Sequence, residues 1–156
     1  MEILRICAFG HRYFIVTRKI EAVMTKLIRE LLHDNEIVEL FIGRNGDFDI
    51  DFTRYFKIVR QEGDYRSAYL NLVLPYHVKD EDLFDQYYDS IVMPISPKTH
   101  YKAAIRERNR WMVDNSDLVI CYLTESSGGT YDAIAYAKRC GKRIINIKDL
   151  LEDDDE

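Results

Sequence analysis

An α/β fold with a mainly parallel sheet and helices on both faces is what this sequence predicts, on three observations. Apolar runs at residues 3–8, 37–42, 69–74, 118–122 and 143–147 are nearly uninterrupted, as strands covered on both faces must be, rather than alternating. Segments with helical periodicity separate them, the pattern of a doubly wound sheet. Small-residue loops follow three of the runs, at Gly10-His11-Arg12, at residues 43–49 and at residues 126–130, where such sheets hold their ligands. Together these define a Rossmann-like arrangement.

Residues 3–8, Ile-Leu-Arg-Ile-Cys-Ala, form the first strand and lead into Phe9-Gly10-His11-Arg12. Thr17 is placed to cap the next helix, because its hydroxyl can accept a first-turn N–H that has no partner within the helix. Ile20, Val23, Leu27 and Leu31 then recur at the spacing of one buried face. The second strand ends at Gly43-Arg44-Asn45-Gly46-Asp47-Phe48-Asp49; Phe52, Tyr55, Phe56 and Val59 stripe the helix after it, and Gly63 stops that helix. Pro75 closes the third strand. From 76 to 101 the periodicity weakens, with a short edge strand predicted at 91–95 and two prolines, Pro94 and Pro97, that suit a long functional loop. The acidic, tyrosine-rich run at 80–89 fits a dimer surface, a lid or a solvated helix equally. A helix over 101–115 presents Ala104, Ile105, Arg108, Trp111 and Met112, the last two as core residues. After the strand at 118–122 a helix starts at Thr130, and the strand at 143–147 precedes a short C-terminal helix or tail.

The loop Ser126-Ser127-Gly128-Gly129-Thr130 has almost no side chain. Its backbone N–H groups can approach a ligand, and the helix behind it aims unpaired N–H groups and a positive dipole end at the same point, an arrangement suited to phosphate. The plain alternative is a tight turn with Ser127 or Thr130 as N-cap. His11 is either a ligand-facing, titratable ring or a structural one bonded to backbone. Arg12, an always-charged fork beside a loop, suits phosphate. Asp49 caps the second helix or accepts a ribose hydroxyl. Asn109 reads a base or ribose edge or ties its helix to a loop.

The chain has 156 residues and a net charge of −5. That length predicts one domain over 1–150 with an acidic, frayed tail at 151–156. The acidic balance argues against a uniform basic field and so against nucleic acid as a partner, although Lys102, Arg106, Arg108 and Arg110 form a local basic cluster. Cys7, Cys121 and Cys140 lack metal-ligand spacing and read as reduced cysteines, two of them in strands. No metal site is predicted. No apolar run approaches the roughly 18 to 20 residues of a membrane span, and the chain opens directly on a strand, so a cytoplasmic location is expected.

At Gly10-His11-Arg12, Gly43-x-x-Gly46-x-Phe48-Asp49, Arg108-Asn109-Arg110-Trp111-Met112, Ser116-Asp117 and Gly128-Gly129-Thr130 the chain resembles the SLOG superfamily. That group joins YpsA-like proteins, DprA-like domains and the lonely-guy (LOG) phosphoribohydrolases. The resemblance implies a Rossmann-like domain that binds nucleotides or nucleotide-derived molecules, without by itself implying an enzyme. LOG enzymes carry an Arg–Lys pair on the helix before the central strand and a PGGxGTxxE loop after it. Here Arg108 matches the arginine, Asn109 replaces the lysine, the loop is shorter, and Ala133 stands where the glutamate belongs. Asp132, one position early, is the substitute carboxylate.

The expected function is therefore a binding or sensing domain for a small-molecule nucleotide ligand, a nucleoside phosphate or an ADP-ribose- or NAD-like molecule, with a homodimer as a further possibility. The alternative is a nucleotide N-glycosidase using Asp132, Asp49 or Glu125. The expected ligand set is Gly10, His11, Arg12, Gly43, Asn45, Gly46, Asp49, Arg108, Asn109, Ser126, Ser127, Gly128, Gly129 and Thr130. Arg108 is expected to hold ligand without being needed for the fold.

Overall fold

Six strands form one all-parallel sheet in the order β4-β3-β2-β1-β5-β6 in the computed structural model, which describes residues 2–154. The strands are β1 (Ile3–Gly10), β2 (Ile37–Ile42), β3 (Ala68–Val73), β4 (Ser90–Val92), β5 (Leu118–Tyr122) and β6 (Arg143–Asn146). The helices are α1 (Arg18–Asp34), α2 (Asp47–Glu62), α3 (Tyr101–Asp114), α4 (Gly129–Arg139) and α5 (Ile147–Asp154), with a 3-10 helix at Glu81–Gln86. The chain winds outward from β1 through β2, β3 and β4, then returns to place β5 on the other side of β1. Strand order therefore reverses between β1 and β5, and a crevice opens at their carboxyl ends.

Continuous hydrophobicity in the central strands is satisfied by a core on each face. Ile6, Ala8, Leu40, Ile42, Leu70 and Ile120 pack against α1 and α2, with Phe48, Phe52 and Phe56 completely buried among them. On the other face Cys7, Phe9, Phe41, Val73, Val119 and Cys121 meet Met112 and Val113 of α3 and Ala133, Ile134 and Ala137 of α4. Cys7 and Cys121 are thus core residues, and burial pushes both thiols up to about 12, far from the thiolate form. Cys140 is exposed.

Thr17 caps α1, its hydroxyl accepting the Ile20 N–H at 3.1 Å. The buried face of α1 is wider than the predicted stripe: Met24, Ile28 and Leu32 join Ile20, Val23 and Leu27, while Leu31 is only partly buried. All four predicted stripe residues of α2 are buried, and Gly63 closes it. Met112 is core as expected, whereas Trp111 is partly buried, its ring edge-on to Phe41 at 5.3 Å.

Polar side chains fix what hydrophobic pattern leaves open. The Asp89 carboxylate accepts both the Leu70 N–H at 2.7 Å and an Arg60 guanidinium N–H at 2.6 Å, which pins the weakly periodic segment to the sheet edge just before the three-residue β4. None of the residues of the 3-10 helix before it is buried. The acidic run expected as a tail from 151 is helical to Asp154; its last two residues lie outside the described residues. No described helix is long and apolar enough to cross a membrane.

Candidate functional site

The three small-residue loops meet at the reversal point. They line a crevice of about 460 Å³ through Gly10, His11, Arg12 and Tyr13 after β1, Asn45, Gly46 and Asp49 around the start of α2, and Ser127, Gly128, Gly129 and Thr130 at the start of α4. Arg108, Asn109 and Ile105 of α3, Tyr76 after β3, Phe9 of β1 and Glu125 after β5 complete the wall. Two predicted ligand residues fall outside: Ser126 is exposed beyond it, and Gly43 sits behind the wall.

The glycines do two different jobs. A Cβ on Gly43 would lie 2.9 Å from Arg108 Nη1 and 3.2 Å from Asp49 Oδ2, and one on Gly46 would lie 2.6 Å from Arg12 Cα, so these positions are bare because other groups pack against them. By contrast, nothing lies within 4 Å of a Cβ built on Gly128 or Gly129. Gly128 has φ 100 and ψ −179, a conformation that side-chain-bearing residues avoid, and it serves as N-cap of α4 without any side-chain cap bond. Neither Ser127 nor Thr130 caps α4, which corrects that alternative. Thr130 instead donates its hydroxyl to the Gly10 carbonyl at 2.7 Å, tying α4 to β1. The uncapped first turn of α4 presents its N–H groups to the crevice.

His11 is held by backbone: its Nε2 accepts the Thr124 N–H at 3.0 Å, which leaves the ring hydrogen on Nδ1, 3.7 Å from the Glu125 carboxylate. The ring joins the β1 and β5 loops. Arg12 is exposed at the mouth, pairs with no carboxylate among the described residues, and lies over the Tyr13 ring at 6.0 Å.

Arg108 differs from the expectation most. Only 4% of it is exposed; Nη1 donates to the Val73 carbonyl at 2.9 Å and Nε to Asn109 Oδ1 at 2.9 Å. It ties α3 to β3 while lining the crevice, and the Asn109 side-chain oxygen accepts its Nε–H. Asp49 is not an N-cap either: α2 begins at Asp47 with Gly46 as N-cap, and the Asp49 carboxylate reaches back to accept the Asn45 N–H at 3.3 Å. Burial pushes Asp49 up to about 6, with the Arg108 charge and the Asn45 hydrogen bond opposing that rise. Burial likewise lowers Arg108, with Asp49 opposing.

This pair carries a pH prediction. A carboxyl raised above its unfolded value near 3.8 binds its proton more tightly when folded, so its stabilising contribution is full below that value and is lost as pH rises through about 6. Relative to Asp49→Asn, the native chain is expected to lose on the order of 2 kcal/mol of unfolding free energy between pH 4 and pH 6.5, allowing for partial exposure. Urea unfolding of both proteins across that range measures it; a constant difference would contradict the assignment.

Asp132 lines the neighbouring groove between α3 and α4 and not the crevice, while Ala133 is buried beneath α4. Of the three carboxylates named for the hydrolase alternative, Asp132 therefore lies outside the crevice, whereas Asp49 and Glu125 line it. Among the described residues no cluster of His, Cys, Asp or Glu could hold a metal ion. Sequence reasoning missed Tyr13 and Tyr76, both exposed and both on the crevice wall. The signal available was local: Tyr13 directly follows Gly10-His11-Arg12, and Tyr76 follows the proline that ends the third apolar run.

A doubly wound α/β protein with a glycine-lined crevice at its strand reversal is the class these features define. No family model matches the chain, and no curated protein does. Solved structures resemble it, among them two of DNA processing protein A. One is DNA processing protein A from Helicobacter pylori, described by its single-stranded DNA binding mode, at 16% identity and a TM-score of 0.58, covering 97% of this chain and 72% of that one. The other is DNA processing protein A (DprA) from Streptococcus pneumoniae, at 13% identity and 0.61, covering 91% of this chain and 49% of that one. At these identities the likeness shows the fold alone, a Rossmann-like parallel α/β sheet flanked by helices.

It also corrects two expectations. A metabolite sensor or LOG-type hydrolase, with nucleic acid an unsuitable partner, does not stand beside a neighbour of the same fold that is described as binding single-stranded DNA. The physical error was to read the net charge of −5 as a local property. The acidic residues concentrate at 80–89 and 149–156, whereas α3 is locally basic beside the crevice.

Proposed function

We propose that this protein binds single-stranded nucleic acid across the crevice. The observation that carries the proposal is that two exposed aromatic side chains, Tyr13 (83% exposed) and Tyr76, share the crevice wall with an unpaired cation, Arg12, and an uncapped helix start at Gly128 and Gly129. Single strands are held without sequence preference by that combination, since unstacked bases lie on aromatic faces while cations and backbone N–H groups take the phosphates. In this reading a phosphate sits on the first turn of α4 with Arg12 beside it, and flanking bases stack on Tyr13 and Tyr76. Asn45 on the opposite wall has its side chain available to a base or sugar edge. The described function of the Helicobacter pylori neighbour supports the same partner class.

Fluorescence anisotropy with a labelled dT20 strand and the matching duplex tests it. The single strand is expected to bind at least tenfold more tightly than the duplex at 50 mM salt, and Tyr13→Ala with Tyr76→Ala to lose about 1 to 3 kcal/mol per stacked base. No binding at low salt, or equal binding of duplex and single strand, would refute the proposal.

A further inference from the structure

A second cavity of about 500 Å³ runs between α3 and α4 and adjoins the crevice, the two sharing Ile105, Asn109 and Gly129 as lining residues. Its walls carry Lys102, Arg106 and Arg110 on α3 and Arg139 on α4, all exposed. Among the described residues none of the four has a carboxylate within ion-pair distance; Asp132, the acidic residue of the groove, pairs with none of them. Lys102, Arg106 and Arg110 recur every four residues, which sets successive cations about 6 Å apart along one helix face, comparable to the phosphate-to-phosphate step of an extended strand.

The far end of this row is held in place before any ligand arrives. Arg110 and Arg139 both lie over the Tyr136 ring, at 4.9 and 5.7 Å, and the Tyr136 hydroxyl donates to Asp114 at 2.7 Å. Tyr136 thereby braces one guanidinium from each helix at the end of the groove. Ala133 and Ala135 line the groove opposite, leaving room for a backbone to pass. Cations at the mouth of a crevice are common; a spaced row of unpaired ones that continues from it, ending in two braced guanidiniums, is a path.

Resting on the single-strand reading above, we infer that the nucleic-acid backbone leaves the crevice past Gly129 and runs along the α3–α4 groove, its phosphates on Lys102, Arg106, Arg110 and Arg139. The crevice then holds a few nucleotides and the groove about three or four phosphates more. The occupant is a phosphodiester chain rather than an acidic peptide because the cations recur at about the phosphate step and the groove adjoins the crevice at Gly129.

Anisotropy with dT4 and dT12 on the native chain and on the Arg106→Glu/Arg110→Glu variant separates the two claims. On the native chain dT12 is expected to bind at least tenfold more tightly than dT4, with a log–log salt slope steeper by about 2 to 3, as three or four extra neutralised phosphates require. In the variant that gain is expected to vanish while dT4 binding stays within twofold, which also shows that the variant is folded. If dT12 binds no better than dT4, or its advantage survives the double substitution, the path is wrong and the crevice reading stands. If neither strand binds the native chain, both fall. Displacement of dT12 by polyglutamate at equal charge concentration would identify the groove as a site for acidic protein segments and overturn the path.

Discussion

Arg108→Ala is expected to cost about 3 to 5 kcal/mol of unfolding free energy, the range for removing one member of a buried charged pair. The guanidinium is almost wholly buried, donates to the Val73 carbonyl and to Asn109, and is the cation that offsets the buried Asp49. Its loss leaves a carbonyl without its donor and a carboxyl without its counter-charge, each a cost that replacement by alanine cannot recover. Arg108→Lys keeps the charge but loses the planar fork, so it is expected to restore only part of the stability. A second consequence is specific to this arrangement. Without the Arg108 charge, Asp49 rises further above its present value near 6 and is neutral over more of the physiological range. Urea unfolding at pH 7 tests the first claim, and a loss under 1 kcal/mol would mean that Arg108 is the free ligand residue expected from the sequence.

Gly10→Ala is expected to be the most damaging small substitution in the chain. An added Cβ would lie 2.0, 2.4 and 2.5 Å from Cγ, Cδ1 and Cβ of Phe48. Because the Phe48 Cβ is among these atoms, a rotamer change cannot relieve the clash; the first turn of α2 must move. That turn is locked by the Asp47 N–H bond to the Arg12 carbonyl at 2.8 Å, and the Phe48 ring packs edge-on to Phe14 at 5.3 Å and stacks with Phe52 at 5.6 Å. The expected cost is about 3 kcal/mol, the upper part of the usual range for overpacking. Phe48→Ala alone costs about 3 to 5 kcal/mol through the cavity it leaves. In that background Gly10→Ala is expected to cost markedly less, because Cγ and Cδ1 of the ring are gone and only the Cβ that alanine keeps remains in the way. A double-mutant cycle measures the coupling, and additive costs would show that the two positions do not meet.

Both predictions bear on what could be read without coordinates. The strands were legible because residues 118–122 are apolar throughout and residues 37–42 are apolar but for Glu39, a pattern that a sheet covered on both faces leaves in sequence. The three loops were legible as a cluster because a doubly wound topology puts such turns at one end of the sheet. The roles of Arg108, Asp49 and Gly43 were not. Whether an arginine on an amphipathic helix faces a cleft or bonds to a strand carbonyl depends on a few degrees of helix rotation, and Val73 is 35 residues away. Gly43 and Gly128 look alike in sequence, yet one is bare to admit Arg108 and Asp49 and the other to hold a positive φ in open space. Tyr76 was hidden because the residues after it are positioned by polar contacts of the Glu81 carboxylate, with His77 at 2.7 Å and the Val78 N–H at 3.2 Å, which carry no periodic signal. The partner was misjudged because a sum over all charges discards where they lie.

The claim on which the rest depends is that the bare backbone at Gly129 faces a bound phosphate. Gly129 is the first residue of α4, its φ is ordinary, and a Cβ there meets nothing within 4 Å, so valine is accommodated by the fold and projects into the space the ligand requires. Titration of dT20 against Gly129→Val, beside urea unfolding of the same protein, is the direct measurement. The account predicts unfolding free energy within about 0.5 kcal/mol of the native chain, as for other exposed positions, together with at least a tenfold loss of affinity. Undiminished affinity in a stably folded Gly129→Val protein would contradict it, and would leave the Gly128–Gly129 turn as a connection between strand and helix.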